Sequence, residues 1–315
     1  MPVIEIANLT KDYEIGFFRK RKVRALDDLS LSVDAGQIFG FLGANGAGKT
    51  TTLKLLMRLI FPTSGTARIL NRDIGEVRMH ERIGYLPENP YFYDYLTARE
   101  FLDYCAQIFG YGAAERKKRA ADLLSRVKLE EKSWDKQLRK FSKGMLQRVG
   151  LAQSLINDPE IVFLDEPMSG LDPVGRREVR DLIASLREDG KTVFMCSHIL
   201  SDIEVLCDRV AILKRGRLAQ VGHLDELRRR TEGPNRMEIL AAGADAAGLH
   251  LRDAEISATP RGLRIEIAGE NEIEAALAAL RKAGGTVVSI QPVTQSLEEL
   301  FMEESPAKAP RRKEE

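Results

Sequence analysis

The chain has 315 residues, 48 Lys+Arg against 47 Asp+Glu for a net charge of +1, and 43% hydrophobic residues. At about 150 residues per domain, that length allows one large domain or two ordinary ones. The apolar content excludes a wholly disordered or collagen-like chain, and near-zero charge gives no sign of general nucleic-acid binding. Cys105, Cys196 and Cys207 are too few and too far apart for a disulfide framework or a zinc pattern, and suit a reducing compartment. Met1-Pro2-Val3-Ile4-Glu5 lacks the basic and apolar regions of a signal peptide, and no apolar run approaches the roughly 18 residues of a membrane span. A soluble cytosolic protein is expected.

Through the first 220 residues, strand-like and helix-like patterns alternate, which predicts an α/β architecture. A short buried strand over 37–42 ends in glycines. A helix over 49–59 follows, with Leu53, Leu56, Met57 and Ile60 at helical spacing. From 97 to 156 the pattern is helical. Thr97-Ala98-Arg99-Glu100 reads as a capping box ahead of Phe101, Leu102, Cys105 and Ile108, and further helices are expected over 113–127 and 142–156. This block, about 90–156, reads as a helical insertion. Strands over 161–164 and 192–195 each end in polar groups at the carboxyl end, where ligands of open α/β sheets sit. Beyond about 230 the texture changes: Gly233-Pro234 and an alanine/glycine stretch over 241–248 punctuate the chain. A hairpin over 251–267, a helix over 271–283 and a strand over 286–290 then predict a small α+β domain at 231–303. Residues 304–315 read as a disordered tail.

The strongest motif is Gly43-Ala44-Asn45-Gly46-Ala47-Gly48-Lys49-Thr50, a complete G-x-x-x-x-G-K-[ST] match between a strand and a helix. Its glycines let successive backbone N–H groups turn inward as an anion nest, and the helix that follows adds its positive dipole end. Lys49 is expected at the β- and γ-phosphates, and the Thr50 hydroxyl on Mg²⁺; Thr51, next in line, is taken into the same nucleotide-binding set. A second signal is Ile161-Val162-Phe163-Leu164-Asp165-Glu166-Pro167, an apolar strand ending in two carboxylates. Here Asp165 is expected to bind the metal, and Glu166 to orient and deprotonate the attacking water.

Taken together, these residues resemble the ATP-binding subunit of an ABC transporter. The resemblance implies a P-loop NTPase fold: a RecA-like core, an antiparallel β subdomain and a helical subdomain within about 1–225. Phe141-Ser142-Lys143-Gly144-Met145 stands where the family has Leu-Ser-Gly-Gly-Gln. It retains Ser142 and Gly144 to contact a nucleotide held by a second subunit, while Lys143 and Met145 depart from the common form. Ser169-Gly170-Leu171-Asp172 fits the family's D-loop, with Pro173 beginning the next helix. His198 fits the switch histidine and Tyr13 the aromatic that stacks on adenine. Glu88 stands where the family has a glutamine; as a carboxylate it is assigned to the metal. The run Tyr91-Phe92-Tyr93-Asp94-Tyr95 lies where the family receives its permease, although some of these rings are equally expected to pack the helical block. The segment 231–303 resembles the C-terminal extension of ATPases from bacterial export systems.

The resemblance implies an ATPase with ATP and Mg²⁺ as cofactors. It pairs with itself or a related ATPase, and works at the inner membrane face through a separately encoded permease. Nucleic acid is not an expected partner. The alternatives are an ABC-type ATPase serving the ribosome or nucleic acid, and a non-hydrolysing regulatory subunit.

Overall fold

In the computed structural model the described residues are 1–16, 20–224, 226–227, 236–243, 249, 251, 254–259, 262–269 and 272–292. The expected tail at 304–315 lies outside them. The chain divides into two compact units, residues 1–224 and 225–315.

The larger unit holds two sheets. Long strands β1 (Pro2–Ile15) and β2 (Arg21–Asp34) form an antiparallel hairpin, extended by β4 (Ser64–Ile69) and the short β5 (Arg72–Asp73) in the order β2-β1-β4-β5. In β2 the residues Leu29, Leu31 and Val33 are buried while Ser30, Ser32 and Asp34 face solvent, the period-two alternation of a sheet covered on one face. A second sheet orders as β10-β9-β3-β8-β7-β6, from β3 (Ile38–Leu42), β6 (Ile83–Leu86), β7 (Ile161–Asp165), β8 (Thr192–Ser197), β9 (Arg209–Lys214) and β10 (Arg217–His223). Strands β9, β3, β8, β7 and β6 run parallel, and β10 is antiparallel at one edge. Every residue of β3, β7 and β8 is buried, as unbroken apolar runs require of parallel strands covered on both faces. One core joins the two sheets: Ile4, Leu29 and Val33 share it with Phe39, Phe163 and Phe194. Phe194 packs against Phe39, Phe41 and Phe163 with ring centroids 5.3–5.7 Å apart.

Helix α1 (Lys49–Leu56) follows β3. It ends three residues short of the expected 59 because Arg58 turns into the left-handed region at φ 51°. The Arg58 N–H then donates to Leu55 O and the Leu59 N–H to Lys54 O, the paired bonds that close a helix around a left-handed residue. With arginine rather than glycine there, the stop leaves no sequence signal.

The helical block comprises α2 (Ala98–Ile108), α3 (Ala113–Arg126) and α4 (Lys143–Ser154). The Thr97 capping box is complete, with Glu100 N–H donating to Thr97 Oγ1 at 3.2 Å and Thr97 N–H to Glu100 Oε2 at 2.8 Å. The aromatic run divides. Phe92 is buried against Phe101, whereas Tyr91, Tyr93 and Tyr95 stay exposed with Tyr104 beside them. Trp134 is buried, its indole N–H donating to Leu129 O at 2.8 Å. Two further helices, α5 (Pro173–Glu188) and α6 (Leu200–Leu206), follow β7 and β8. The three cysteines are free and buried.

In the smaller unit, β11 (Met237–Ala242), β12 (Glu255–Thr259), β13 (Gly262–Ile267) and β14 (Thr286–Pro292) form an antiparallel sheet ordered β12-β13-β11-β14, joined by helix α7 (Ile273–Lys282). Ile239, Ile265, Ile267 and Leu280 are among the residues of a core of its own. The hairpin, helix and last strand agree with expectation. The alanine/glycine stretch does not begin at 241, because Ala241 and Ala242 complete β11, a central strand whose partners lie 22 to 55 residues away.

One close approach fixes how α4 meets the parallel sheet. A Cβ built on Gly84 of β6 would stand 1.9 Å from the Ser154 carbonyl oxygen. Gly84→Ala is therefore expected to destabilise the larger unit by about 1–3 kcal/mol through overpacking. Circular-dichroism melting checks this as a midpoint lowered by roughly 3–10 °C.

Candidate functional site

Adjacent parallel strands β3, β8 and β7 deliver their carboxyl ends to one place. The loop after β3 is the glycine motif. Gly43 N–H donates to Ser197 O at 3.3 Å and Ala47 N–H to Ala44 O at 3.0 Å. Gly46 and Gly48 have φ of 82° and 112°, conformations open chiefly to glycine. A Cβ on Gly48 would also stand 2.6 Å from Ala25 O of β2, so this glycine admits the antiparallel sheet to the loop. The β9–β10 turn packs beside it, with Gly216 N–H donating to Ala47 O and Asp27 N–H of β2 donating to Gly216 O, both at 2.8 Å. The result is a cavity of about 400 Å³ lined by Ala25, Ala44, Asn45, Gly46, Gly48, Lys49, Thr50, Thr51, Glu88 and Glu166.

Lys49 is buried at 6% exposure. Its ammonium donates to Gly43 O at 2.7 Å and lies 3.4 Å from Glu166 Oε1. His198, just beyond β8, places Nδ1 2.9 Å from the same Glu166 oxygen. Glu166 itself has φ 49°, and its N–H donates to Cys196 O at 3.0 Å. A left-handed conformation costs a non-glycine residue about 1–2 kcal/mol, and here it turns the carboxylate off the strand end into the cavity.

Asp165 behaves differently. It is fully buried, and neither carboxylate oxygen accepts a hydrogen bond of normal geometry. Burial pushes its pKa up to about 6; the nearby Thr50 hydroxyl offsets this in part, Glu166 and Glu88 add like charge, and Lys49 opposes them. Two orphaned carboxylate oxygens beside a hydroxyl and a second carboxylate form an all-oxygen donor set. That is the chemistry a hard divalent cation takes.

The structure thus gathers Gly43 to Thr51, Glu88, Asp165, Glu166 and His198. It does not bring Tyr13, Ser142, Gly144 or Asp172 to that cavity. Tyr13 sits on β1 opposite Val23 of β2, on the hairpin that lines the cavity at Ala25, with Lys11 Nζ 5.3 Å from its ring centroid. Ser142 caps α4, its Oγ accepting from Met145 N–H at 3.2 Å, and Gly144 lies beside Leu171. Asp172 caps α5, Oδ1 accepting from Gly175 N–H at 2.9 Å, with Pro173 at the first helical position. Sequence reasoning missed Ala25 as a wall and Gln147, whose buried amide donates to Pro167 O at 2.9 Å. Neither residue type carries a local signal for such a place.

Known proteins match this chain in two parts. A family model described as "ABC transporter" matches residues 26–169, and one described as "ATP-binding protein DrrA1-3-like, C-terminal domain" matches 222–305. The chain is 46% identical over 301 residues to an ABC transporter ATP-binding protein of Synechocystis, sll0415, spanning 95% of this chain and 84% of that one. It is 42% identical over 231 residues to the bacitracin transport ATP-binding protein BcrA of Bacillus licheniformis, spanning 72% of each. Among solved structures, the ATP-binding cassette MJ0796, a dimer in a post-hydrolysis state with ADP and Pi, aligns with a TM-score of 0.65 at 29% identity. That alignment covers 70% of this chain and 98% of the other.

Because the folded chain holds the Asp165 proton more tightly than the unfolded chain, its ionisation costs stability as pH rises from about 4 through 6. In ligand-free protein, Asp165→Asn is expected to raise the melting midpoint at pH 7.5 and to raise it less at pH 5. Paired thermal melts at the two pH values check this.

Proposed function

We propose that this chain, which belongs to the ATP-hydrolysing, ATP-binding subunits of ABC transporters, closes as a pair around two Mg-ATP and drives a separate membrane permease, in export. The observation that carries the catalytic part is the shared contact at Glu166 Oε1, which faces both the Lys49 ammonium and the His198 ring. Glu166 is the general base: it orients a water and takes its proton. His198 holds that carboxylate in position and lies at 43% exposure, open to the γ-phosphate. Lys49 neutralises the transferred phosphoryl group, and backbone N–H groups of 43–50 hold the phosphates in the loop.

Thr50, Asp165 and Glu88 hold Mg²⁺, which when bound neutralises charge on the β- and γ-phosphates. An extra carboxylate at Glu88 tightens the site for a cation and leaves less positive charge for the nucleotide.

Ser142, Gly144 and Asp172 serve the second copy. Ser142 is exposed and Gly144 half-buried, as residues reserved for a partner's nucleotide should be. Asp172 fixes the start of α5 in the loop that meets the partner, and Tyr13 offers a ring to adenine. ATP that touches both chains favours the closed pair only through that added contact.

No helix among the described residues is long and apolar enough to cross a membrane. The likeness to an ABC transporter ATP-binding protein over 95% of this chain supports the reading that the permease is another chain and that this one works at the cytoplasmic face. The exposed rings of Tyr91, Tyr93, Tyr95 and Tyr104 are the docking anchors for it, aromatics being the usual interface hot spots. The export direction rests on the likeness to a bacitracin transport protein and on the DrrA-like match at 222–305.

Glu166→Gln is expected to slow ATP turnover by roughly 10²–10⁴ while ATP still binds, and Lys49→Ala to weaken ATP binding itself. Steady-state hydrolysis and equilibrium binding of a fluorescent ATP analogue test both. Full turnover in the first variant removes Glu166 from the mechanism; unchanged affinity in the second contradicts the phosphate-loop role.

A further inference from the structure

Glu166 is followed by a short turn, 167–171, that runs along α4. Three residues on one face of that helix meet the turn in succession. The Lys143 side chain lies over Gly170, where a built Cβ would stand 2.6 Å from Lys143 Cδ. Gly144 admits Leu171, whose Cδ2 would be 3.2 Å from a Cβ there. Deepest of the three, Gln147 is 2% exposed and donates its amide N–H to Pro167 O at 2.9 Å. Spacings of three and four residues align the contacts on the helix surface. Pro167 is the residue bonded to Glu166, and Ser169 N–H donates back to Glu166 O at 3.0 Å. The peptide carrying the catalytic carboxylate is therefore pinned on one side by β8, through Cys196 O, and on the other by α4, through Gln147.

We infer that Gln147 is a positioning residue for Glu166: its hydrogen bond to Pro167 O holds the left-handed turn that aims the carboxylate at the water. The inference rests on the proposed role of Glu166 as base, and it adds a route of control. Helix α4 begins at Ser142, which in that reading meets the nucleotide held by the second copy. The chain of contacts from Ser142 through α4, Gln147 and the 167–171 turn ends at Glu166. A buried amide–carbonyl bond is a fitting link, because losing it leaves the Pro167 carbonyl without a partner.

The test uses the full chain with Gln147→Met, which keeps the volume but removes the donor, and Gln147→Asn, which keeps the amide but is one methylene too short. Both are expected to lower kcat for Mg-ATP at least tenfold, with KM near that of the unsubstituted chain and a melting midpoint lowered by only a few degrees, so that both stay folded at the assay temperature. Because the effect runs through Glu166, the double variant Gln147→Met with Glu166→Gln is expected to hydrolyse no more slowly than Glu166→Gln alone in single-turnover measurements. A kcat within twofold of the unsubstituted chain overturns the inference. So does a loss carried by KM, a loss matched by unfolding in the melt of both variants, or an additional loss in the double variant. Full activity of Glu166→Gln alone instead overturns the proposed base and leaves the Gln147 measurements as a separate result.

Discussion

Everything in the larger unit is arranged around one electrostatic constraint: two successive carboxylates, Asp165 and Glu166, are buried at the end of one strand. Burying ionised carboxylates is expensive unless they are paired. Glu166 is relieved by direct contact with Lys49 and His198, whereas Asp165 contacts neither and is eased only in part by the Thr50 hydroxyl and the more distant charge of Lys49. Among the residues lining the cavity, Lys49 is the sole Lys or Arg, against the carboxylates of Glu88 and Glu166. The strand order β3-β8-β7 makes the arrangement possible, because it sets the phosphate loop, the histidine and the two acids on neighbouring strand ends. Asp165 is left as a cost that the rest of the fold carries.

Around that point the remaining parts act as walls and struts. The antiparallel sheet enters through Ala25 at the glycine where no side chain stands in the way, and the β9–β10 turn, bonded to both β2 and Ala47, locks that entry in place. Helix α4 braces the acids from the helical block, and Arg148 on that helix ties it to Glu178 of α5 and to Val127 O after α3. The helical block is thereby joined to the turn after Glu166 by the buried Gln147 bond to Pro167 O, and to α5 by the half-buried Arg148–Glu178 pair.

What the sequence shows in advance follows from what is local. Phosphate loop, acid pair, capping box and buried strands each depend on a few consecutive residues, and each appears where those residues place it. Ranges drift where a long-range partner or an unexpected backbone conformation decides. The end of α1 rests on Arg58 in a glycine-like conformation, and β11 is a strand because β13 and β14 bond to it from either side. Ala25 and Gln147 are the same case within the site, since their importance is a matter of which distant carbonyl or loop they meet. The aromatic run, read as interface or packing, proves to be both, because Phe92 points inward while its tyrosine neighbours face out.

The left-handed backbone of Glu166 has an evolutionary corollary. Glycine would relax that turn, so a glutamate here stands against the preference of its own backbone, as strained residues at functional sites do. Random variation under selection for stability alone would erode this position early. A lineage that keeps glutamate there while its surface diverges is one in which turnover, and not merely a folded cassette, is still being selected.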